Sequence, residues 1–127
     1  SPLRWHLAHT TWFFETFVLG EFDSGYQPLN PQYAYLFNSY YIQAGERFDR
    51  PRRGLLSRPT VAEILAFRAH VDRAMDRFFT TASDAVLESA RPALEIGLNH
   101  EQQHQELMLT DVKHMLAQNP MNPVYRE

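Results

Sequence analysis

Two histidines spaced four residues apart on a helix can grip one ion between them, and the stretch NHEQQHQE, residues 99–106, offers that pair as His100 and His104. Side chains at i and i+4 share a helix face with their Cβ atoms roughly 5–6 Å apart. At about 100° per residue, His104 lies about 40° from His100, Asp111 about 20°, Leu107 about −20° and Gln103 about −60°. Glu101 and Glu106 fall well off that line, at about 100° and −120°. Two imidazoles on a core-facing stripe must find partners for their ring nitrogens, because a buried polar atom without one is costly. Either they ligate a metal or they are hydrogen-bonded structural histidines.

Two ligands leave an ion half held, so a third is needed. Of the six histidines, His9 is the best placed, since it lies mid-stripe with Trp5, Ala8, Trp12, Phe13 and Thr16 at i, i+3, i+4 spacing. His6, about 60° round the same helix, is nearer the edge. His70 and His114 read as surface or supporting residues. Three neutral imidazoles leave open positions on a metal. Zinc would complete a tetrahedron with water, whereas iron(II) would stay octahedral with room for substrate and dioxygen. Residue types do not choose between them. His100-Glu101-Gln102-Gln103-His104 also spells H-E-x-x-H, the zinc-protease signature. No edge strand for a peptide and no downstream H-x-x-G-x-x-H accompany it, so a protease is the poorer reading.

The elements that must position these rings read as helices. A first, aromatic helix runs from Pro2 to about Leu19, with Ser1 as its cap, Pro2 in its first turn and Gly20 as its stop. Glu21 to Pro31 is loop. Gln32 to Gly45 reads as a short aromatic helix, and Glu46 to Pro59 as a basic connection carrying Arg47, Arg50, Arg52, Arg53 and Arg58. Thr60-Val61-Ala62-Glu63 is a capping box opening a helix to about Thr81, with Ile64, Phe67, Val71, Met75, Phe78 and Phe79 as its apolar stripe. Ser83 or Asp84 caps the last helix, which runs to about Gln118 and could kink or divide at Pro92 near Ala90. Its stripe is read as Ile96, Leu107 and Met115 beside His100, His104 and Asp111. No strand pattern or repeat appears. The expected architecture is an all-α four-helix bundle over residues 1–118, one helix of which could lie before Ser1.

Composition agrees with one soluble globular domain: 44% hydrophobic and 21% charged among 127 residues. A net charge of −3 gives no basic field for nucleic acid. Zero cysteines exclude disulfides, a thiol nucleophile and thiolate metal sites. No stretch approaches the roughly 18 apolar residues of a membrane helix, and no secretory signal opens the chain, so a cytoplasmic location is expected. With no initiator Met and a Pro/Asn-punctuated exit, the sequence is expected to be a piece of a longer chain, with 119–127 as a linker.

SPLRWHLAHTTWFFE (1–15) resembles the opening of the DinB-like domain of iron(II)-dependent sulfoxide synthases of ergothioneine biosynthesis. LFNSYY (36–41), RGLLSRPT (53–60) and NHEQQHQE (99–106) resemble three further blocks of that domain in the same order. The resemblance implies a DinB-like four-helix bundle and a mononuclear non-heme iron(II) held by His9, His100 and His104. It implies that Gln103 contacts the imidazole of hercynine, and that Arg47 and Arg50 bind carboxylates of a cysteine or γ-glutamylcysteine co-substrate; Arg–carboxylate pairing supplies the reason. Dioxygen is the oxidant. The family's catalytic tyrosine comes from a formylglycine-generating-like domain after this one, so residues 1–127 are expected to bind metal and be inactive alone, with no catalytic residue of their own. Zinc or nickel could replace iron on purification, since imidazole sites bind them more tightly. The alternatives are a stand-alone DinB-like metal-dependent thiol transferase and a non-enzymatic helical interaction module with structural histidines.

Overall fold

The computed structural model describes residues 1–127, apart from the side chain of Ile42. Five α-helices follow one another: α1 (Leu3–Phe14), α2 (Gly20–Phe22), α3 (Tyr33–Phe37), α4 (Val61–Thr81) and α5 (Asp84–Ala117). Among the described residues there is no strand, and no helix is long and apolar enough to cross a membrane. The all-α expectation holds. The helix α1 packs against both α4 and α5 and against α3, which is why its pattern is apolar on more than one side. Trp5, Ala8, Trp12 and Phe13 are all buried.

Both expected ends of α1 differ from the sequence reading. Ser1 does not cap it; Pro2 holds the N-cap position with no side-chain hydrogen bond, and Ser1 Oγ accepts from Arg53 Nη1 at 3.2 Å instead. Gly20 does not stop the helix. It is right-handed helical (φ −63°, ψ −30°) at the end of a π-helical turn, Glu15–Leu19, and α2 carries the helix on to Phe22. A Cβ at position 20 would sit 3.2 Å from the Glu15 carbonyl oxygen. Glycine is there for a close approach inside the widened turn, not for a left-handed cap. Buried Glu15 on that turn accepts a short hydrogen bond from the Tyr26 hydroxyl.

The aromatic crossover is not one helix from Gln32 to Gly45. It breaks into α3 and a 3₁₀ turn, Ile42–Ala44. Asn38, fully buried, leaves the helix in extended conformation and donates from Nδ2 to the carbonyls of Tyr41 (3.2 Å) and Gly45 (3.0 Å). A short polar side chain here competes with the helix for backbone partners. The basic connection likewise contains a 3₁₀ helix, Arg50–Leu55, and one of its arginines, Arg53, is buried with its guanidinium 3.6 Å over the Trp5 ring.

The capping box of α4 forms as read. Glu63 N–H donates to Thr60 Oγ1 at 3.2 Å, and Thr60 N–H to Glu63 Oε2 at 2.6 Å. Its inner face is Ile64, Phe67, Val71, Ala74, Met75 and Phe78, while Phe79 is about half exposed. Ser83, rather than Asp84, caps α5, accepting from Val86 N–H. The helix passes through Pro92 undivided. Its expected apolar stripe is displaced: Ile96, Leu107 and Met115 are exposed, and Ala90, Gly97, His100 and His104 are buried. Relative to His100, Gly97 and Ala90 lie at about 60° and 80° and Ile96 at about −40°. The buried arc is therefore narrow and turned toward the small residues. A Cβ on Gly97 would lie 2.7 Å from the Phe14 ring and 3.2 Å from that of Phe13, so this glycine lets α1 and α5 touch one turn before His100.

Candidate metal centre

His9, His100 and His104 come together between α1 and α5. All three are buried, and one nitrogen from each lies within 4.8 Å of the others. The ring centroids are 4.8 Å apart for His9–His100, 4.7 Å for His9–His104 and 4.5 Å for His100–His104.

The helical spacing of α1 holds His9. Trp5, four residues before it, and Trp12, three after, stack on its two faces at 4.6 and 5.3 Å with interplanar angles of 15° and 14°. The Phe37 carbonyl, which can only accept, lies 2.5 Å from His9 Nδ1. Nδ1 therefore carries the proton, and Nε2 is left with its lone pair. That Nε2 is 3.1 Å from His100 Nε2. Two imidazole nitrogens each about 2.1 Å from one ion, 90–110° apart, would be about 3.0–3.4 Å from each other. The observed separation fits, and so does the donor set, three neutral nitrogens. Without an ion, His100 Nε2–H donates to the bare His9 Nε2, while His100 Nδ1 is buried with no hydrogen-bond partner in the protein.

Burial holds the rings neutral. It lowers the pKa of His9 to about 3, helped by the neighbouring His100, His104 and Arg53 and opposed by the Phe37 carbonyl. It lowers His104 to about 4, with His100, His6 and Arg53 adding to the effect. Burial lowers His100 as well. Neutral imidazole is the form that ligates a metal.

His6 is not an edge residue. It is buried on the α5 side of α1, with Nδ1 2.8 Å from His104 Nδ1 and Nε2 2.7 Å from Asp111 Oδ2. Burial lowers its pKa against the opposing pull of Asp111. Asp111 also accepts from the Ser1 nitrogen at 2.7 Å. The sequence carries a signal for this pair: His6 is i−3 from His9, and Asp111 shares the His100 stripe.

The remaining expected site residues are not buried with the cluster. Gln103 is exposed on α5. Arg47 is exposed and donates to the Ser39 carbonyl at 3.0 Å. With Arg50 and Arg53 it lines a cleft of about 340 Å³ that includes Ser39, Tyr40 and Asp49. Arg53, which the sequence offers as one charge of a basic connection, has its pKa lowered to about 10 by burial and by Arg50 and Arg47. Glu101, the would-be protease base, is held by Arg68 Nη1 at 2.5 Å. His70 is bound to the Gln27 carbonyl at 2.9 Å, and His114 is exposed.

The family model of the DinB superfamily matches residues 1–108, which takes in all three clustered histidines. No curated protein matches the chain.

Proposed function

This chain belongs to the DinB superfamily, and on that footing we propose that it is the metal-binding domain of an iron(II)- and dioxygen-dependent sulfoxide synthase, joining a cysteine-type thiol to hercynine in ergothioneine biosynthesis. The superfamily includes metal-dependent enzymes. The carrying observation is the convergence of three buried, neutral histidines from α1 and α5 with nitrogens within 4.8 Å. The four sequence blocks support the finer reading.

In this reading His9, His100 and His104 would hold the ion. Bound iron(II) would supply dioxygen activation and a position for the thiol sulfur. The reaction consumes the thiol S–H, the hercynine C2–H and one O2; one oxygen atom ends on sulfur as the sulfoxide and the other leaves as water with the two hydrogens. The chain's own residues bind and exclude. Trp5 and Trp12 shield His9 from water on both ring faces. Arg47 and Arg50, on the cleft beside Arg53, pair with the carboxylates of cysteine or γ-glutamylcysteine, and Gln103 reaches the hercynine imidazole. In the synthases this chain resembles, a formylglycine-generating-like domain completes the pocket.

Anaerobic iron(II) titration followed calorimetrically tests the metal site. One-site binding is expected, weakened about 10-fold or more in His9→Ala, roughly 1.4 kcal/mol or more. Unchanged binding in His9→Ala would remove the cross-helix triad. Mass spectrometry of the full gene product with iron(II), hercynine, thiol and air then tests the activity. Metal binding without sulfoxide would favour a metal-dependent thiol transferase on the same bundle, and no metal binding would favour a helical module with structural histidines.

A further inference from the structure

Behind the three clustered histidines lies a second line of polar groups, running from the surface of α5 into α1 and back. Asp111 Oδ2 accepts from His6 Nε2, and His6 Nδ1 faces His104 Nδ1. A neutral imidazole carries one proton, so the order of donation follows from the carboxylate, which can only accept. Asp111 holds the His6 proton on Nε2. His6 Nδ1 is then bare and accepts from His104 Nδ1–H. His104, neutral in turn, is left with a bare Nε2. We propose that Asp111 and His6 are positioning residues for the metal centre, a carboxylate–histidine–histidine relay that fixes the tautomer and ring orientation of His104 so that its Nε2 lone pair is presented beside His9 and His100. The Phe37 carbonyl does the same for His9 directly. His104 is reached by two steps because its nearest partner is another imidazole. Groups that orient a ligating histidine matter nearly as much as the ligand, with losses of about 10–100-fold in metal affinity when they are removed.

The inference rests on the metal-site reading in its binding arm alone, and the tautomer arm needs no metal. Long-range ¹H–¹⁵N spectra of the metal-free chain should show His104 protonated on Nδ1 and bare on Nε2. In His6→Leu, which fills the space without an acceptor, His104 should become a mixture of tautomers. In His6→Asn, whose Oδ1 stands where the imidazole Nδ1 stood, the single tautomer should return. Zinc(II) titration of the same variants should weaken about 10–100-fold in His6→Leu and recover most of that loss in His6→Asn. A proton on His104 Nε2 in the unaltered chain would overturn the relay. So would an unmixed tautomer in folded His6→Leu, or a loss in His6→Asn as deep as in His6→Leu. If the unaltered chain binds no zinc while the tautomers behave as described, the relay stands and the metal reading fails.

Discussion

A histidine as deeply buried as His9, 1% exposed, cannot take a proton in the folded protein at a pH where the unfolded chain already does. In the unfolded chain its ring titrates near 6.5; folded, His9 titrates at about 3 and His104 at about 4. Above roughly pH 6.5 both states are neutral and stability is complete. As pH falls below that, the unfolded state binds protons that the folded state refuses, so stability drains away until the folded pKa values are reached. At pH 5.5 the effect is about 1.4 kcal/mol for each such ring. Thermal melts of the metal-free chain should therefore show a melting temperature that declines from pH 7 toward pH 4.5. A His9→Gln, His104→Gln variant, neutral at those positions throughout, should decline less steeply. An identical slope would mean these rings are not what couples the fold to protons.

At the scale of helices, the site depends on how closely α1 and α5 approach, and Gly97 governs that. Replacing it with Ala gains about 0.8–1.0 kcal/mol of helix propensity. Against this stands a Cβ placed 2.7 Å from the Phe14 ring, where overpacking costs about 1–3 kcal/mol. Two ring atoms at that distance and a second ring at 3.2 Å leave little room for relief, so the clash should win. Gly97→Ala is expected to lower stability by about 1 kcal/mol in urea unfolding and to weaken zinc binding, because His100 lies one turn on. A Gly97→Ala chain more stable than the original would show that the helices part without cost. The π turn Glu15–Leu19 acts at the same scale: it lets the α1 helix run on past Gly20 to Phe22.

Taken whole, the molecule brings together residues 91 positions apart, His9 and His100, across its principal helix–helix contact. An ion bound there ties α1 to α5 only in the folded state, since the unfolded chain has no assembled site, so binding adds directly to folding stability. Zinc(II) at about 100 times its Kd should add about 2.7 kcal/mol, read as a rise in melting temperature that a chelator reverses. His100→Ala should abolish the rise. A rise that survives in His100→Ala would place the ion elsewhere.

The elements were legible from local rules. The capping box at Thr60, the α4 stripe from Ile64 to Phe78 and the shared face of His100 and His104 follow from periods and caps that depend on near neighbours in the chain. His9 was legible for the same reason, because its stripe is set by residues three and four away. What the sequence alone could not decide depends on distant partners. His6 reads as an edge residue until Asp111 and His104, about a hundred residues on, are placed against it. Arg53 reads as one charge in a solvated run until Trp5 lies under it. Gly20 reads as a stop, though only the path of the π turn decides that it continues the helix. Ile96 and Leu107 read as core, and it is the packing of α5 through the face of Gly97 and Ala90 that leaves them exposed. Sequence by itself determined that the chain is helical and that three imidazoles on two helix faces could hold an ion. Tertiary packing alone decided that the Phe37 carbonyl, 28 residues on, holds the His9 proton on Nδ1 and leaves Nε2 bare toward His100.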